Sequence, residues 1–558
     1  MTTTPTFWSP EITVSTDPSV TEPQVAGLAD DTFVIGYGSS GDIFGFNMDA
    51  FGSFTGGNFL APLTSAEDNP LSGPHFVQET NGQLAVDYRE TFNGNDNDVI
   101  WHLADPNASP LNRSPTESTG FDEFLHSATA TAAGGSADTF ELAGPNSTSF
   151  QVLRFVNSIG LPISNQIFVG PHQGQSQFDS VVAGTFNGNV AVAYENFDPA
   201  TADGDIRLHI YTPLEQDVAE GVNGSHEVLV SGPGLNAAFP DIAVTNGGTP
   251  DVNGDGSLVV VWQDRNGIEY RRLSDERGIP LDAAPRTIAD TAGTSLLPHV
   301  TALNDGGFMV EWGQAAGRES DGSPDFEIGL QRFDINGNPV GDKLFINNPG
   351  DQGPFDVSLT TLADGRVVVL FNNETGDATN LTTLDYVIVD PRDATINGDS
   401  GNNTIVGRLD GSAINGLAEN DNLIGMNAND VLSGGAGSDT LTGGLGRDRL
   451  FGGPGADAFR FNLPRESSVK APDIIADFHH AQGDKIDLSH IDANIRQMGD
   501  QAFHFIGAQS FHHRAGELHF VRAVGHVFVE GDVNGDGRAD FRIDVHGAST
   551  LFHGDFVL

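Results

Sequence analysis

The sequence feature that most constrains this chain is an array of nonapeptides between residues 398 and 460. Seven units follow one another without a change of phase, and each begins with glycine: Gly398, Gly407, Gly416, Gly425, Gly434, Gly443 and Gly452. The eighth position of every unit is apolar: Ile405, Ile414, Leu423, Leu432, Leu441, Leu450 and Phe459. This period predicts a parallel coil of short strands, in which two units form one turn and the apolar side chains fill the interior.

The sixth position of the last five units is an aspartate, which offers hard oxygen ligands: Asp421, Asp430, Asp439, Asp448 and Asp457. Because units n and n+2 stack, the aspartates pair across successive turns. We predict three calcium sites at these pairs: Asp421 with Asp439, Asp430 with Asp448, and Asp439 with Asp457. The glycine-rich turns bring backbone carbonyls close to an ion, which gives a supporting role to Gly434, Ala436, Gly443 and Leu445.

The first three units depart from this pattern. Asn403 and Ser412 occupy the sixth position of the first two units, and Leu417 and Glu419 replace turn glycines in the third. We therefore expect weaker or empty cation sites in these units. A flexible glycine-rich linker is the alternative explanation of the composition, but a linker has no reason to keep an apolar column in fixed phase.

Further motifs follow the array. They are Asp473–Phe478, Gly483–Asp492, Gly531–Phe541 and the terminal Asp555–Leu558. Together with the array they resemble the RTX (repeats-in-toxin) family, and in particular the C-terminal domain of serralysin-type secreted proteins. The resemblance covers about residues 396–558. It implies calcium as cofactor, an uncleaved C-terminal signal for the type I secretion machinery and an extracellular location, and it says nothing about the preceding residues.

Composition supports a cation-binding, secreted protein. The chain has 76 acidic and 26 basic residues, a formal net charge of −50, which disfavours nucleic acid as a partner and favours cations. It contains no cysteine, so disulfides do not stabilise it. The first ten residues lack the features of a cleaved signal peptide, and no apolar run is long enough to span a bilayer. Clustered aspartates are expected to repel one another until extracellular calcium binds.

The N-terminal two thirds repeat a turn followed by an apolar strand that ends in an aromatic residue. The copies are Thr32–Tyr37, Gly82–Tyr88, Gly188–Tyr194, Gly256–Trp262, Gly306–Trp312 and Gly365–Phe371, with a degenerate copy at Ser136–Leu142. Other short strands lie on either side, so a repeat of about fifty residues with four strands predicts a seven-bladed β-propeller. The strand Glu11–Ser15 is expected to complete the last blade, and an array of β-sandwiches is the alternative.

No catalytic residue can be assigned from motifs. The sequence has no G-x-S-x-G, Walker or H-E-x-x-H motif, and His226-Glu227 is followed by Val-Leu-Val. Carboxylates of interest lie within or just after the repeated strands: Asp42, Asp87, Glu195, Asp264 and Glu311. Glu311 and Asp87 interest us most, because each precedes a strand-ending aromatic residue. Polar residues at alternate positions of a half-exposed strand are the simpler explanation.

Two further patterns leave alternatives open. The loops Asp251–Ser257 and Asp532–Asp540 alternate oxygen-bearing side chains, which suits either calcium or a hydrogen-bonded Asx turn. Ten of the 17 histidines follow residue 470, including His479-His480 and His512-His513. Without a ligand-spaced motif, a polar surface explains them better than a transition-metal site.

The sequence thus predicts an all-β protein: a seven-bladed propeller over residues 1–395, an RTX parallel β-roll over 396–462, and a capping β-sandwich with the secretion signal over 463–558. We expect a secreted calcium-binding protein whose loaded roll drives extracellular folding. The propeller is expected to be a binding or adhesion module for a glycan or cell-surface ligand. The alternative is a calcium-dependent hydrolase or lyase acting on a polysaccharide or phosphoester at the propeller mouth.

Overall fold

The computed structural model confirms the all-β class. Among the described residues it contains strands and one 3-10 turn, His553–Asp555. It holds no helix long and apolar enough to cross a membrane in those residues. The described residues are 5–9, 12–16, 20–28, 32–39, 42–49, 52–56, 69–70, 75–78, 84–92, 96–104, 114–115, 123–130, 136–144, 148–156, 167–169, 176–185, 188–212, 227–232, 234–245, 256–275, 277–289, 295–318, 324–347, 357–375, 381–398, 400–497 and 501–558.

The chain divides into two compact units, Thr4–Pro391 and Arg392–Leu558. We call them the N-terminal and the C-terminal unit. The predicted boundary at residue 395 lies close to this division. The boundary predicted between residues 462 and 463 lies inside the C-terminal unit, because the sheets of the nonapeptide array continue into the segment after it.

The N-terminal unit contains strands β1 to β30. They are β1 (Thr6–Phe7), β2 (Ile12–Ser15), β3 (Val20–Gly27), β4 (Phe33–Ser39), β5 (Asp42–Met48), β6 (Phe54–Gly56), β7 (Asn69–Pro70), β8 (His75–Gln78), β9 (Leu84–Phe92), β10 (Asp96–Ala104), β11 (Ser114–Pro115), β12 (Glu123–Ala130), β13 (Ser136–Gly144), β14 (Thr148–Val156), β15 (Ile167–Phe168), β16 (Ser176–Gly184), β17 (Val190–Asp198), β18 (Asp203–Tyr211), β19 (Val228–Leu229), β20 (Ala238–Thr245), β21 (Ser257–Asp264), β22 (Gly267–Ser274), β23 (Arg286–Ala289), β24 (Ser295–Ala302), β25 (Phe308–Arg318), β26 (Pro324–Phe333), β27 (Pro339–Asn347), β28 (Val357–Thr361), β29 (Val367–Thr375) and β30 (Leu381–Asp390).

Among the described residues these strands pair into seven antiparallel sheets of four or five strands. The repeated apolar strands of the sequence are central in each sheet, as β4, β9, β13, β17, β21, β25 and β29. Their apolar residues are buried because neighbouring sheets cover them; Val259 to Trp262 of β21, for example, are all fully buried. The predicted orphan strand β2 pairs with β30 and so joins the start of the unit to its last sheet, as predicted.

The first strands of the sheets form a closed series of contacts. β3 contacts β8, and the series continues through β12, β16, β20, β24 and β28, which contacts β3 again. Hydrogen bonds support the closing step: the backbone N–H of Val25 donates to Ser358 Oγ at 3.2 Å. Residues on these first strands therefore face the middle of the series, and residues from neighbouring sheets come together there.

The C-terminal unit contains strands β31 to β45. They are β31 (Thr395–Asn397), β32 (Thr404–Val406), β33 (Ala413–Ala418), β34 (Asn422–Ile424), β35 (Val431–Ala436), β36 (Thr440–Thr442), β37 (Arg449–Phe451), β38 (Ala458–Arg460), β39 (Asp473–Ile475), β40 (Lys485–Asp487), β41 (His504–Phe505), β42 (Glu517–Arg522), β43 (His526–Asp532), β44 (Phe541–His546) and β45 (Phe556–Val557).

These strands form two sheets, between which the chain alternates every nine residues. Odd-numbered strands from β31 to β39 lie parallel in one sheet and even-numbered strands from β32 to β40 in the other. Residues 18 apart are neighbours, such as Leu423 and Leu441, so units n and n+2 stack as predicted. All seven apolar eighth-position residues are buried in one hydrophobic core, which continues into β39 to β45.

Candidate metal centre and buried carboxylates

The sixth-position aspartates form a ladder inside the C-terminal unit. Their side chains are at most 3% exposed. In each rung, Oδ1 of one aspartate accepts the backbone N–H of the sixth-position residue one turn earlier: Asp439 from Asp421 at 2.8 Å, Asp448 from Asp430 at 2.8 Å, and Asp457 from Asp439 at 3.0 Å. The structure therefore brings together the predicted pairs, and the backbone already uses one oxygen of each carboxylate.

The second oxygen distinguishes this ladder from an ordinary structural network. Oδ2 of Asp430, Asp439, Asp448 and Asp457 is buried and has no hydrogen-bond partner. A buried carboxylate oxygen without a donor is costly unless a cation or a proton compensates it. Carboxylates and backbone carbonyls are the ligands that calcium prefers. The residues present thus fit calcium, and these side chains would hold it.

Burial also acts on the protonation of these groups. Desolvation is the largest cause that raises the pKa of Asp430 to about 8, of Asp457 to about 7 and of Asp448 to about 6. Neighbouring carboxylates add to the effect, for example Asp448 on Asp430. Without a cation these groups therefore hold protons more readily than a solvated aspartate does.

The first glycine of each unit makes room for the aspartate. A Cβ on Gly434 would overlap Asp439 Oδ2, and a Cβ on Gly443 would overlap Asp448 Oδ2. Both glycines are buried, whereas Ala436 is exposed and Leu445 is half-buried on the turns. Glycine at the first position is therefore a packing requirement of the ladder.

Units that lack turn glycines keep the same backbone path. Leu417, Glu419 and Met426 adopt φ of 83°, 68° and 87°, the region in which later units have glycine. Such a conformation is strained for a residue with a Cβ. At the sixth position, the N–H of Asn403 and of Ser412 donates to Asp421 and Asp430, but neither residue contributes a carboxylate. The early units therefore offer fewer carboxylate ligands, and weaker or empty cation sites there remain a prediction.

Sequence reasoning missed two members of the ladder. Asp473 accepts the N–H of Asp448 at 2.9 Å, and Asp484 accepts the N–H of Asp457 at 3.1 Å. Both are fully buried, and burial raises the pKa of Asp473 to about 9. One sequence signal could have found them. In both segments, as in the repeats, an apolar residue lies two positions after the aspartate: Ile475 after Asp473 and Ile486 after Asp484.

The loop Asp532–Asp540 has the geometry of an Asx turn. Asp532 Oδ1 and Oδ2 accept the N–H groups of Gly535 and Gly537 at 2.6 and 2.8 Å. Asn534 and Asp536 accept N–H groups two residues ahead. Backbone donors within the loop thus engage the side-chain oxygens. The other candidate loop, Asp251–Ser257, lies for the most part outside the described residues.

In the N-terminal unit, Glu311 stands out among the predicted carboxylates. It lies on β25, is fully buried, and neither carboxyl oxygen has a hydrogen-bond partner. Desolvation raises its pKa to about 8, so the group is protonated at neutral pH. In the preceding sheet, the residue equivalent to Glu311 is Val261, which lies opposite Asp241. Glu311 therefore occupies a position that is apolar in the preceding sheet.

Two polar residues lie beside Glu311. His299 on β24 is its direct cross-strand partner, and His299 Nδ1 is 3.5 Å from Oδ2 of Asp241 on β20, the first strand of the neighbouring sheet. The same Asp241 oxygen accepts the N–H of Val300 at 2.8 Å. His299 is about one third exposed, so a partly solvent-exposed imidazole neighbours the buried carboxyl in the strand register.

The remaining predicted carboxylates are dispersed. Burial and then Asp179 raise the pKa of Glu195 to about 7. Asp264 is buried. Burial is the largest cause that raises the pKa of Glu269, and the charge of Asp264 raises it further. The side chains of Asp42 and Asp87 lie outside the described part of the structure, although the register puts Asp87 opposite His75.

A cavity opens at one end of β20 and β21. Its volume is about 320 Å³, and it is lined by Asn236, Ala238, Phe239, Gln263, Asp264 and Arg265. Phe239 is 43% exposed and has φ of 53°, an uncommon conformation for an aromatic residue. Gln263 Oε1 is buried without a hydrogen-bond partner. An exposed aromatic ring at a cavity suits a ligand with an apolar face.

Several histidines after residue 470 pair with acids. His480 contacts Asp555, and His512 Nδ1 lies 2.9 Å from Glu517 Oε1. His519 Nε2 lies 2.9 Å from Glu530 Oε2, while its Nδ1 lies 2.6 Å from Gln509 O. The resulting hydrogen bonds are consistent with a structural role for these rings.

Comparison with known protein families gives a match for the C-terminal part of the chain. Residues 375–558 match the family described as peptidase M10 serralysin C terminal, which confirms the serralysin-like resemblance there. No curated protein matches the chain.

Solved structures give only distant likenesses. An ulvan lyase of polysaccharide lyase family PL25 is 11% identical, with a TM-score of 0.43, covering 67% of this chain and 95% of its own. An α-L-arabinofuranosidase from Fusarium graminearum is 11% identical, with a TM-score of 0.35, covering 56% and 91%. A subunit of the Azotobacter vinelandii mannuronan C5-epimerase is 26% identical, with a TM-score of 0.17, covering 29% and 80%. We rest no assignment on these likenesses.

Proposed function

We propose that this is a secreted calcium-binding protein of the RTX type. In this proposal the C-terminal unit is a β-roll with its cap that folds when it binds calcium outside the cell, after export by a type I secretion machinery. The N-terminal unit is a seven-bladed propeller that acts as a binding module. The observation that carries the proposal is the ladder of stacked, buried aspartates whose Oδ2 atoms lack a protein partner.

The physical argument is that the ladder needs a counter-charge. Several carboxylates lie on successive turns of a narrow coil, and each was removed from water with one oxygen unpaired. Their mutual repulsion and desolvation oppose folding, whereas calcium offsets both effects at once. At cytosolic calcium the coil is expected to be unfolded, which suits export as an unfolded chain.

Calcium titration of the metal-free full chain tests this proposal. All four tryptophans, Trp8, Trp101, Trp262 and Trp312, belong to the N-terminal unit, so tryptophan emission reports that unit while far-ultraviolet circular dichroism reports both. We expect calcium to induce β-structure without a matching change in tryptophan emission. An unchanged dichroism spectrum up to millimolar calcium would contradict the proposal.

The binding role of the propeller is supported by the cavity at Phe239. An aromatic ring stacks on the apolar face of a sugar, and Phe239 presents an exposed ring at the cavity. Phe239→Ala is expected to weaken binding to a glycan array at least tenfold. Phe168→Ala serves as the matched control, because Phe168 is a similarly exposed ring on β15 of another sheet.

A second candidate function is hydrolysis or β-elimination of an extracellular polysaccharide, and it is favoured by the group at Glu311. A buried carboxylic acid whose pKa lies near neutrality is suited to proton transfer, and the partly exposed His299 is its cross-strand neighbour. The residues would act as follows: Glu311 holds the proton, His299 exchanges it with the ligand, and Asp241 orients the imidazole.

A turnover screen with the calcium-loaded full chain distinguishes the two functions. Release of reducing ends and of unsaturated sugars is followed on a panel of polysaccharides. Turnover that disappears in Glu311→Gln and in His299→Gln, but persists in Glu195→Gln, would establish an enzyme. Silence across the panel, together with glycan binding at the Phe239 cavity, would support the binding module.

A further inference from the structure

A second kind of cation site lies on the outer face of the C-terminal sheet. β43 and β44 are antiparallel neighbours, with His526 opposite His546 and Phe528 opposite Asp544. The intervening residues Val527 and Val545 point into the core and are fully buried. The alternation of the strands therefore presents His526, Asp544 and His546 on the same face.

The three side chains converge on one oxygen. His546 Nε2 lies 3.3 Å from Asp544 Oδ1, and His526 Nε2 lies 3.7 Å from the same atom. One atom from each residue lies within 4.8 Å of the other two. The rings are stacked, with centroids 4.9 Å apart, and Phe528 packs edge-on against His526. Two imidazoles thus share a single carboxylate oxygen.

We propose that His526, Asp544 and His546 bind a divalent transition metal of the zinc class. Zinc binds imidazole nitrogen and carboxylate oxygen at about 2.0 to 2.2 Å, so two ligands of a tetrahedral site lie about 3.3 Å apart. The separations of 3.3 and 3.7 Å are close to this value. Asp544 Oδ1 is buried and makes no hydrogen bond, which leaves its lone pairs for a metal.

The chemical types of the ligands in this site differ from those in the aspartate ladder. Two imidazoles and one carboxylate favour zinc, nickel, copper or iron, whereas calcium prefers oxygen ligands only. With three protein ligands, the fourth position of a tetrahedral metal remains for water or an external group. The C-terminal unit would then bind two classes of cation at separate places.

Other histidines of the unit show what a purely structural pair looks like. His519 is held through both ring nitrogens, at 2.6 Å from a backbone carbonyl oxygen and at 2.9 Å from Glu530. Glu530 also pairs with Arg542, whose Nε lies 2.7 Å away. His526 and His546 have looser contacts and share their acid.

Zinc titration of the calcium-saturated full chain, followed by calorimetry, tests the proposal. We expect one zinc ion per chain at this site, and at least a tenfold loss of affinity in His526→Gln, His546→Gln and Asp544→Asn. His490→Gln is the matched control, because His490 is an exposed histidine of the same unit. Circular dichroism in calcium verifies that each variant is folded, which keeps the result independent of the calcium proposal.

Cobalt provides a second readout, since its visible absorption reports nitrogen and oxygen ligation directly. We expect a cobalt spectrum that is lost in the His546→Gln variant and that excess calcium does not abolish. Absence of zinc binding, or equal binding by wild type and all three ligand variants, would overturn the proposal. In the first case the cluster is an ion-pair network only, and in the second the zinc binds other histidines.

Discussion

Both units of the molecule contain buried carboxylates, but these carboxylates differ in whether they recur at one position of the unit's sequence repeat. In the C-terminal unit they recur at one position of the nonapeptide, and each uses its Oδ1 in the same way. In the N-terminal unit Glu311 occurs where the preceding sheet has the apolar Val261. The first kind recurs in every late unit of its repeat, whereas the second differs from the residue of the preceding sheet.

This difference indicates two distinct reasons for which a protein buries an acidic side chain. A cost that is repeated on every turn needs compensation on every turn, which bound cations would supply. A single buried acid with no partner only lowers stability, unless its proton is used. The comparison therefore supports two separate proposals, a folding role for the ladder and a proton-transfer role for Glu311, and each can be tested separately.

The largest effect is expected from Asp439→Asn. Asp439 belongs to two of the three predicted pairs, and asparagine keeps the Oδ1 acceptor while removing the charge. Loss of one partner from a buried charged group costs about 3 to 5 kcal/mol. The calcium midpoint measured by circular dichroism should rise at least a hundredfold. Glu419→Gln, at an exposed position of the same array, should leave the midpoint within about twofold.

The next largest effect is the pH dependence caused by Glu311. Its pKa is raised from 4.5 to about 8, so between these values the folded state holds a proton that the unfolded state has lost. The contribution to stability is complete below pH 4.5 and disappears as pH rises towards 8, at up to about 1.4 kcal/mol per pH unit. Denaturant unfolding followed by tryptophan emission should show this slope in wild type.

Glu311→Gln isolates the slope from other groups. Burial also raises the pKa of Glu195 and Asp138, and both remain in the variant. The difference between wild type and Glu311→Gln is therefore the contribution of Glu311. Parallel pH profiles for the two proteins would show that Glu311 is ionised in the folded state and would remove the argument for proton transfer.

A smaller effect is expected from Gly443→Ala in the ladder. The new Cβ would overlap Asp448 Oδ2 and would lie 2.8 Å from Asp448 Cβ and Cγ, so the carboxylate must move. Overpacking of this kind costs about 1 to 3 kcal/mol. Both the thermal stability and the calcium affinity of the C-terminal unit should fall. Gly554→Ala is the control, because nothing lies within 4 Å of its added Cβ. If the calcium affinity of Gly443→Ala were unchanged, the Asp448 carboxylate would not be a calcium ligand.

The C-terminal unit was predictable because its period is local and rigid. A nine-residue repeat determines which residues stack, so the neighbours of Leu441, Asp439 and Asp448 on adjacent turns follow from residue spacing alone. Asp473 and Asp484 were missed because the chain inserts extra residues before them, so their separations from the aspartates one turn earlier are 25 and 27 residues instead of 18. Periodicity finds a site only while the period holds.

The N-terminal unit was predictable to a lesser degree. The repeated strands and the pairing of β2 with β30 follow from apolar patterns and turns. The approach of His299 to Asp241 does not, because these residues are 58 positions apart on first strands of different sheets. Glu311 attracted attention in the sequence, but its burial depends on the neighbouring sheets. The cavity at Phe239 likewise results from tertiary packing.

The smallest effect, and the sharpest test of the comparison, is expected from Glu311→Val at pH 5. Valine is the residue that β21 has at the equivalent position, so the change reproduces the apolar residue of the preceding sheet. At this pH the carboxyl is neutral, and its removal from an apolar site should raise the free energy of unfolding by about 1 to 2 kcal/mol. Val261→Ala, which leaves a cavity at the matched position, should lower it by about the same amount. If Glu311→Val were instead destabilising, Glu311 would have a structural partner, and the two units would use buried carboxylates for the same purpose.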